Sequence, residues 1–224
     1  DHVWVESAVI RPALRGRDVR QFGCRQERVL LWGHDDFGHV RASLPPLATE
    51  YFARHLSALR ARADYQTGPT WQVFRVRAAL GPFRLVWSDL ARRPRACVLE
   101  LCDAVDTIPL NTCYVATSRD ETVLLAASCV LNSTWGALHV HTTADEARGG
   151  YRRVNARVVG SLPTPPQARA AALAALAREA HAGKPISTHD LDEAVADSLA
   201  LSPEARHTVR RFATDLGRPT ARRP

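Results

Sequence analysis

The chain has no methionine and one lysine, Lys184, so the rest of its 30 basic side chains are arginine. Aromatic residues make up only 7% of the sequence. No apolar run reaches the roughly 18 consecutive residues a membrane span requires. The longest, from Val123 to Val140, is interrupted by Ser128, Asn132, Ser133, Thr134 and His139, and reads as a buried helix. Because the chain opens at Asp1 and holds no Met, a piece of a longer polypeptide is expected. Its first residues lack the basic start and apolar core of a secretion signal. The five cysteines, Cys24, Cys97, Cys102, Cys113 and Cys129, are odd in number and sit in apolar contexts, which favours reduced thiols and a cytoplasmic protein over a disulfide framework.

Catalytic signatures are missing too. An amino-methyltransferase uses a Gly-rich turn after a strand and an Asn or Asp before a Pro-Pro turn. Here the Pro-Pro pairs follow Leu44 and Thr164, which argues against a methyltransferase active site in these residues. A metal-dependent nuclease places a lysine one residue after a carboxylate, and Lys184 follows Gly183. There is no phosphate-binding loop and no Gly-x-Ser-x-Gly elbow. The chain thus reads as non-catalytic by itself.

Candidate metal ligands are His34, Asp35, Asp36 and His39, which crowd one loop, and His139 and His141. Cys97 and Cys102 are spaced unlike a zinc knuckle, so buried thiols and surface histidines are the expectation.

What the chain does have is positive charge. The formal charge is +7 and the pI about 9.7. A GC-rich coding bias accounts for the choice of Arg over Lys, but not for the excess of bases over acids. That excess points to a polyanionic partner.

Alternating and helical periodicities place short strands between isolated helices, an α+β arrangement with a mixed β-sheet. Strands are expected at Val29–Trp32 (buried), Trp71–Val76, Phe83–Trp87, Ala96–Leu101, Asn111–Thr117 and Tyr151–Val159. Helices are expected from Pro45-Pro46 to about Ala63, with a stripe of Leu47, Tyr51, Leu56 and Leu59, and as one long helix from Glu121 to Val140. Leu162-Pro163-Thr164-Pro165-Pro166 marks the clearest boundary. The division expected is an α+β domain over 1–162, a helical C-terminal tail over 163–216 packed on it, and a disordered basic end over 217–224. In the tail, one helix runs to about His181, Ser187-Thr188-His189-Asp190 caps a second, and Ser202-Pro203-Glu204 starts a third.

Several segments, in order, resemble the C-terminal specificity region of TaqI-like adenine-specific DNA methyltransferases and of the larger phage-defence methylases. Ile10-Arg11-Pro12-Ala13-Leu14-Arg15-Gly16-Arg17-Asp18-Val19 is similar to that family's R-P-x-L-x-G-R-D-V entry. Arg84 to Leu90 and Asp106 to Tyr114 fit its paired strands, and Leu131-Asn132-Ser133 falls in its long helix. Gly149-Gly150-Tyr151-Arg152-Arg153, followed by Leu162-Pro163-Thr164-Pro165, resembles its G-G-x-x-R…L-P-x-P segment. Leu191-Asp192-Glu193-Ala194-Val195 and Leu201-Ser202-Pro203-Glu204 resemble its closing helices; Ala200 stands where relatives often carry Gly. The resemblance spans nearly the whole chain. It implies a target-recognition domain that binds double-stranded DNA beside a catalytic methyltransferase domain of the same parent chain. That domain would flip out and methylate adenine with S-adenosylmethionine, a cofactor this chain does not hold. Two other readings stand: a detached specificity subunit of a multi-subunit restriction system, and a protein–protein docking module.

The candidate DNA contacts are Arg15, Arg17, Arg92, Arg93, Arg95, Tyr151, Arg152, Arg153 and Arg157. Arg15 and Arg17 flank Gly16 in a turn, though Arg17 can equally pair with Asp18. Arg92-Arg93-Pro94-Arg95 is a basic loop that phosphate or water can satisfy. Gly149-Gly150-Tyr151-Arg152-Arg153 is favoured most, since glycines allow close approach, Tyr151 can stack and two guanidiniums can pair with phosphate or base edges. Trp32, Trp71, Trp87 and Trp135 are expected in the core. The tail arginines, including Arg206 and Arg210, are offset by nearby acids and are expected to pack.

Overall fold

The computed structural model describes residues 2–73, 76–100 and 107–216. The chain is mixed α and β, and its small sheets are mostly antiparallel. Strands β1 (Ile10–Leu14), β2 (Val19–Arg20), β3 (Gly23–Cys24) and β4 (Arg28–Leu31) come first, then helices α1 (Pro46–Arg54), α2 (Leu56–Arg60) and α3 (Val76–Ala79). Strands β5 (Phe83–Ser88), β6 (Leu90–Ala91), β7 (Ala96–Glu100), β8 (Ile108–Pro109) and β9 (Cys113–Ser118) follow. Helices α4 (Glu121–Asn132) and α5 (Thr134–Thr143), strands β10 (Glu146–Ala147) and β11 (Tyr151–Arg153), and helix α6 (Ala156–Gly160) lead to the last three helices. These are α7 (Gln167–His181), α8 (Thr188–Ser198) and α9 (Pro203–Leu216).

The main sheet has the order β7-β5-β9, antiparallel throughout, with Trp87 opposite both Ala96 and Tyr114. Around it lie the sheets β4-β1-β8 and β10-β11-β6 and the β2–β3 hairpin.

Helix α4 sits between two apolar layers because it is apolar on all sides, the pattern of a helix buried all round. Leu124 and Leu131 pack with Leu85, Trp87 and Ala96 of the sheet. Leu125, Cys129 and Val130 pack with Ala170, Leu173, Ala174 and Ala177 of α7. Those four α7 residues fall at i, i+3, i+4 and i+7, so one narrow stripe faces α4. Three of them are alanine, which allows close approach and costs no side-chain entropy. Burying Leu173 contributes roughly 2 kcal/mol.

Five expectations differ from what forms. The helix expected from Glu121 to Val140 forms as two helices, α4 and α5, bent by 75° at Ser133, whose backbone is extended (ψ 170°). Ser133 Oγ donates to Val130 O (2.7 Å) and accepts from Gly136 N (3.2 Å), so one hydroxyl closes one helix and caps the next. A β-carbon on Gly136 would lie 2.4 Å from Val130 O, which fixes how tightly the corner is drawn. Among the described residues no single helix is long and apolar enough to cross a membrane.

The expected strand Tyr151–Val159 stops at Arg153, because Asn155 Oδ1 accepts from Val158 N (3.0 Å) and starts α6. Trp71 to Val73 form no strand. The Trp71 indole donates to Arg41 O (3.0 Å) and lies against Gly33, and Val76, expected as the end of that strand, opens α3. The helix after Pro45 breaks at His55 into α1 and α2, with Ala48 buried and Leu47 exposed. Glu6 supplies the first cap, accepting from Leu47 N and Ala48 N at 2.8 and 3.0 Å. Finally, β4 is an edge strand with Val29 exposed; the buried residue of that run is Trp32.

Trp87 is buried and donates to Val154 O (2.7 Å), and Trp135 packs against the α4–α7 core. His34 is also structural: Nδ1 lies 2.9 Å from Gly38 O, and Nε2 accepts from Val73 N at 2.9 Å. Among the described residues, no group of three or more His, Cys, Asp or Glu is placed to hold a metal ion. Cys102 and residues 217–224 lie outside the described residues.

Candidate nucleic-acid interface

Three separate stretches meet at one concavity. The first is the turn from Gly16 into the β2–β3 hairpin, the second the Arg92–Arg95 loop between β6 and β7, and the third Tyr151 at the start of β11. They line a cavity of about 350 Å³ that carries Arg17, Arg20, Arg92, Arg93, Arg95 and Tyr151, with Gly16, Val19, Ser88, Leu90 and Ala91. Five arginines are among its lining residues, and no acid is.

Each stretch is fixed by a different device. The β2–β3 hairpin is pinned to the sheet by Phe22 N donating to Ala96 O (3.0 Å). The Arg92–Arg95 loop is held at its exit by Asn132, which accepts from Ala96 N and donates to Ala96 O, both at 2.9 Å. At its entrance, β6 pairs with β11, placing Ala91 opposite Arg152 and Leu90 opposite Arg153. Arg92 lies over the Tyr151 ring, 5.1 Å from its centroid, an attractive cation–π arrangement that orders both groups. Arg93 Nη2 donates to Thr134 Oγ1 (3.2 Å), and Arg20 donates to Val19 O (3.1 Å). Arg17 is well exposed, 3.9 Å from Asp18 at the limit of an ion pair. An exposed pair at that distance is worth little and does not compete with a phosphate.

A second cavity of about 440 Å³ adjoins the first across Gly16 and Arg17, and is lined by Arg15, Ser88, Asp89, Leu90, Leu110, Asn111 and Thr112. Gly16 is there because nothing larger fits. Its amide donates to Thr112 Oγ1 (3.0 Å), and a β-carbon would lie 2.4 Å from Thr112 O.

The remaining candidates are placed differently. Arg152 is mostly buried, 3.4 Å from Glu146, and Arg153 lies 3.5 Å from Asp89. Arg157 is exposed on α6 and lines neither cavity. In the tail, Arg206 bridges Glu193 (2.9 Å) and Asp197 (2.7 Å), and Arg210 also meets Glu193 at 2.9 Å. The Arg210 and Arg206 guanidiniums hold Glu193 below the usual carboxylate range.

Two residues, Arg20 in the first cavity and Asn111 in the second, carry no sequence signal of their own. Arg20 lies three residues past Arg17, and only the hairpin turn brings it to the same wall. Asn111 looks like the start of a strand in sequence, but β9 begins at Cys113 and leaves Asn111 in the preceding turn. Beneath the hairpin, a hydrogen bond with Cys97 lowers the Cys24 thiol to about 7, and burial pushes Cys113 up to about 12.

No family model and no curated protein sequence matches the chain. Among solved structures, it is similar to the Type IIL restriction-modification enzyme MmeI in complex with DNA, with a TM-score of 0.59 and 14% identity. The match covers 94% of this chain and 31% of that one, so the chain spans under a third of the length of that enzyme. At that identity the likeness is one of fold, and it extends over nearly the whole of this chain.

Proposed function

We propose that the chain is the DNA-reading specificity domain of an adenine-specific DNA methyltransferase of the restriction or phage-defence type. The single observation that carries this reading is the cavity walled by Arg17, Arg20, Arg92, Arg93 and Arg95 with no acid in its lining. Like charges gathered this closely repel one another, and a polyanion relieves the repulsion while releasing its own counter-ions. The fold adds support, since a restriction-modification enzyme captured on DNA carries a segment of this shape. In this reading the arginines hold the phosphates of a duplex and set its register, and neighbouring side chains read base edges. The catalytic domain, with its S-adenosylmethionine, belongs to another part of the parent chain.

The test is binding of the 224-residue chain to mixed-sequence duplex DNA across a salt series, beside a variant with Arg92 and Arg95 changed to Ala. The expected result is affinity that falls steeply with salt, with a slope about two units shallower in the variant. Arg152→Ala with Arg153→Ala is the comparison that separates the two basic segments. Equal slopes in all three proteins, or no binding at low salt, would remove the basis for a phosphate-gripping concavity.

A further inference from the structure

The two adjoining cavities share Gly16, Arg17, Ser88 and Leu90 and differ in the charge of the rest of their lining. The first is lined by five arginines and no acid. The second holds the neutral polar residues Ser88, Asn111 and Thr112 beside two arginines, Arg15 and Arg17, and one acid, Asp89. Most of those groups are already engaged. The Ser88 hydroxyl donates to Leu90 O (2.8 Å), Thr112 Oγ1 accepts from Gly16 N (3.0 Å), and Asp89 faces Arg153 at 3.5 Å. Asn111 is different: it is exposed in the turn before β9, and its side chain makes no hydrogen bond to a described residue.

A phosphate oxygen can accept from an amide N–H, but that uses only the donor half of a primary amide. A base edge asks for a donor and an acceptor side by side on one plane, and a primary amide offers both. The match is specific: the amide oxygen accepts from the adenine amino group while the amide nitrogen donates to its N7, both in the major groove. No other base presents that pair in that order.

We infer that Asn111 is a specificity-determining residue that reads an adenine in the major groove of duplex DNA, from the cavity beside the phosphate-holding one. The inference rests on the reading of the chain as a DNA binder. The backbone on either side of Asn111 is fixed. Asp89 N donates to Thr112 O (3.0 Å) and Cys113 N donates to Leu110 O (2.8 Å), so the turn that carries Asn111 is closed on both sides by backbone hydrogen bonds.

The experiment is enrichment of duplexes from a randomised pool by the unaltered 224-residue chain, by Asn111→Ala and by Asn111→Asp. The unaltered chain enriches a sequence containing an adenine that Asn111→Ala no longer prefers, with a loss of about tenfold at that position alone. Asn111→Asp moves the preference there to cytosine, whose amino group donates to a carboxylate. A gained preference cannot come from a misfolded protein. If all three proteins enrich the same sequence equally, Asn111 is not the reader. Steep salt-dependent binding with no enrichment by the unaltered chain overturns the Asn111 inference and leaves the phosphate-gripping reading standing. No binding to any duplex at low salt overturns both.

Discussion

Asn132 and Ala96 exchange two hydrogen bonds of 2.9 Å, the side-chain amide of one meeting both the N–H and the C=O of the other. The pair joins the last residue of α4 to the first residue of β7, and so fixes the loop of Arg92, Arg93 and Arg95 from behind. Asn132 is 4% exposed, so neither backbone group of Ala96 has water to fall back on.

Asn132→Ala leaves Ala96 N without its amide partner, and Ala96 O with Phe22 N alone. The expected loss of stability is about 3 kcal/mol, read from the shift of the urea midpoint at constant slope. Asn132→Asp keeps the volume but has no donor for Ala96 O, so it should be destabilising as well. A loss below about 0.5 kcal/mol in both variants would show that the pair contributes little.

Two glycines near the concavity should respond in opposite ways to the same change. In Gly16→Ala the new methyl meets backbone, Thr112 O at 2.4 Å, and one wall has to shift. A cost of about 2 kcal/mol or more is expected, with weakened binding of any anion held by Arg17. Gly23, in the hairpin, has nothing within 4 Å of the position a methyl would take and no positive φ, so Gly23→Ala should stay within about 0.5 kcal/mol. Thermal unfolding of both variants side by side checks this.

His181 gives the fold a pH dependence. Its Nε2 accepts from Val98 N (3.3 Å), and burial lowers its pKa from the ordinary histidine value. The folded state therefore favours the neutral ring, and the unfolded chain binds more protons in the window below about 6.5. Stability contributed by this residue is in place above that value, falls as pH drops towards the folded pKa, and levels off below it. Denaturant titrations at about pH 7.5 and about pH 5.5, on either side of the ordinary histidine value, should show a larger drop in the native chain than in His181→Gln. Equal drops would place the pH response elsewhere.

Local signals are legible in sequence where one short segment decides the outcome. The α8 and α9 starts at Ser187 and Ser202-Pro203-Glu204 need only a cap and a fixed φ, and the apolar stripe of α7 needs only its own period. Ser133 has the sequence surroundings of a mid-helix residue, because its apolar neighbours run on; the turn there depends on Gly136 closing against Val130. Trp71 has the neighbours of a strand residue, but Gly33 and Arg41, thirty or more positions away, set its place. The candidate site divides in the same manner. Its basic segments are visible one at a time, but their meeting depends on the hairpin pinned at Ala96 and on β6 pairing with β11. Nothing near Arg20 or Asn111 in sequence marks either as part of a wall.

The contact between Gly16 and Thr112 has a mechanical consequence. The ridge between the two cavities is packed so closely that a methyl group on Gly16 would meet Thr112 O, so widening it means moving backbone. If the chain holds a duplex there as proposed, a ridge of packed backbone leaves the yielding to the nucleic acid. Sequences that kink or untwist cheaply, such as those with pyrimidine–purine steps, would then be favoured at positions no side chain touches.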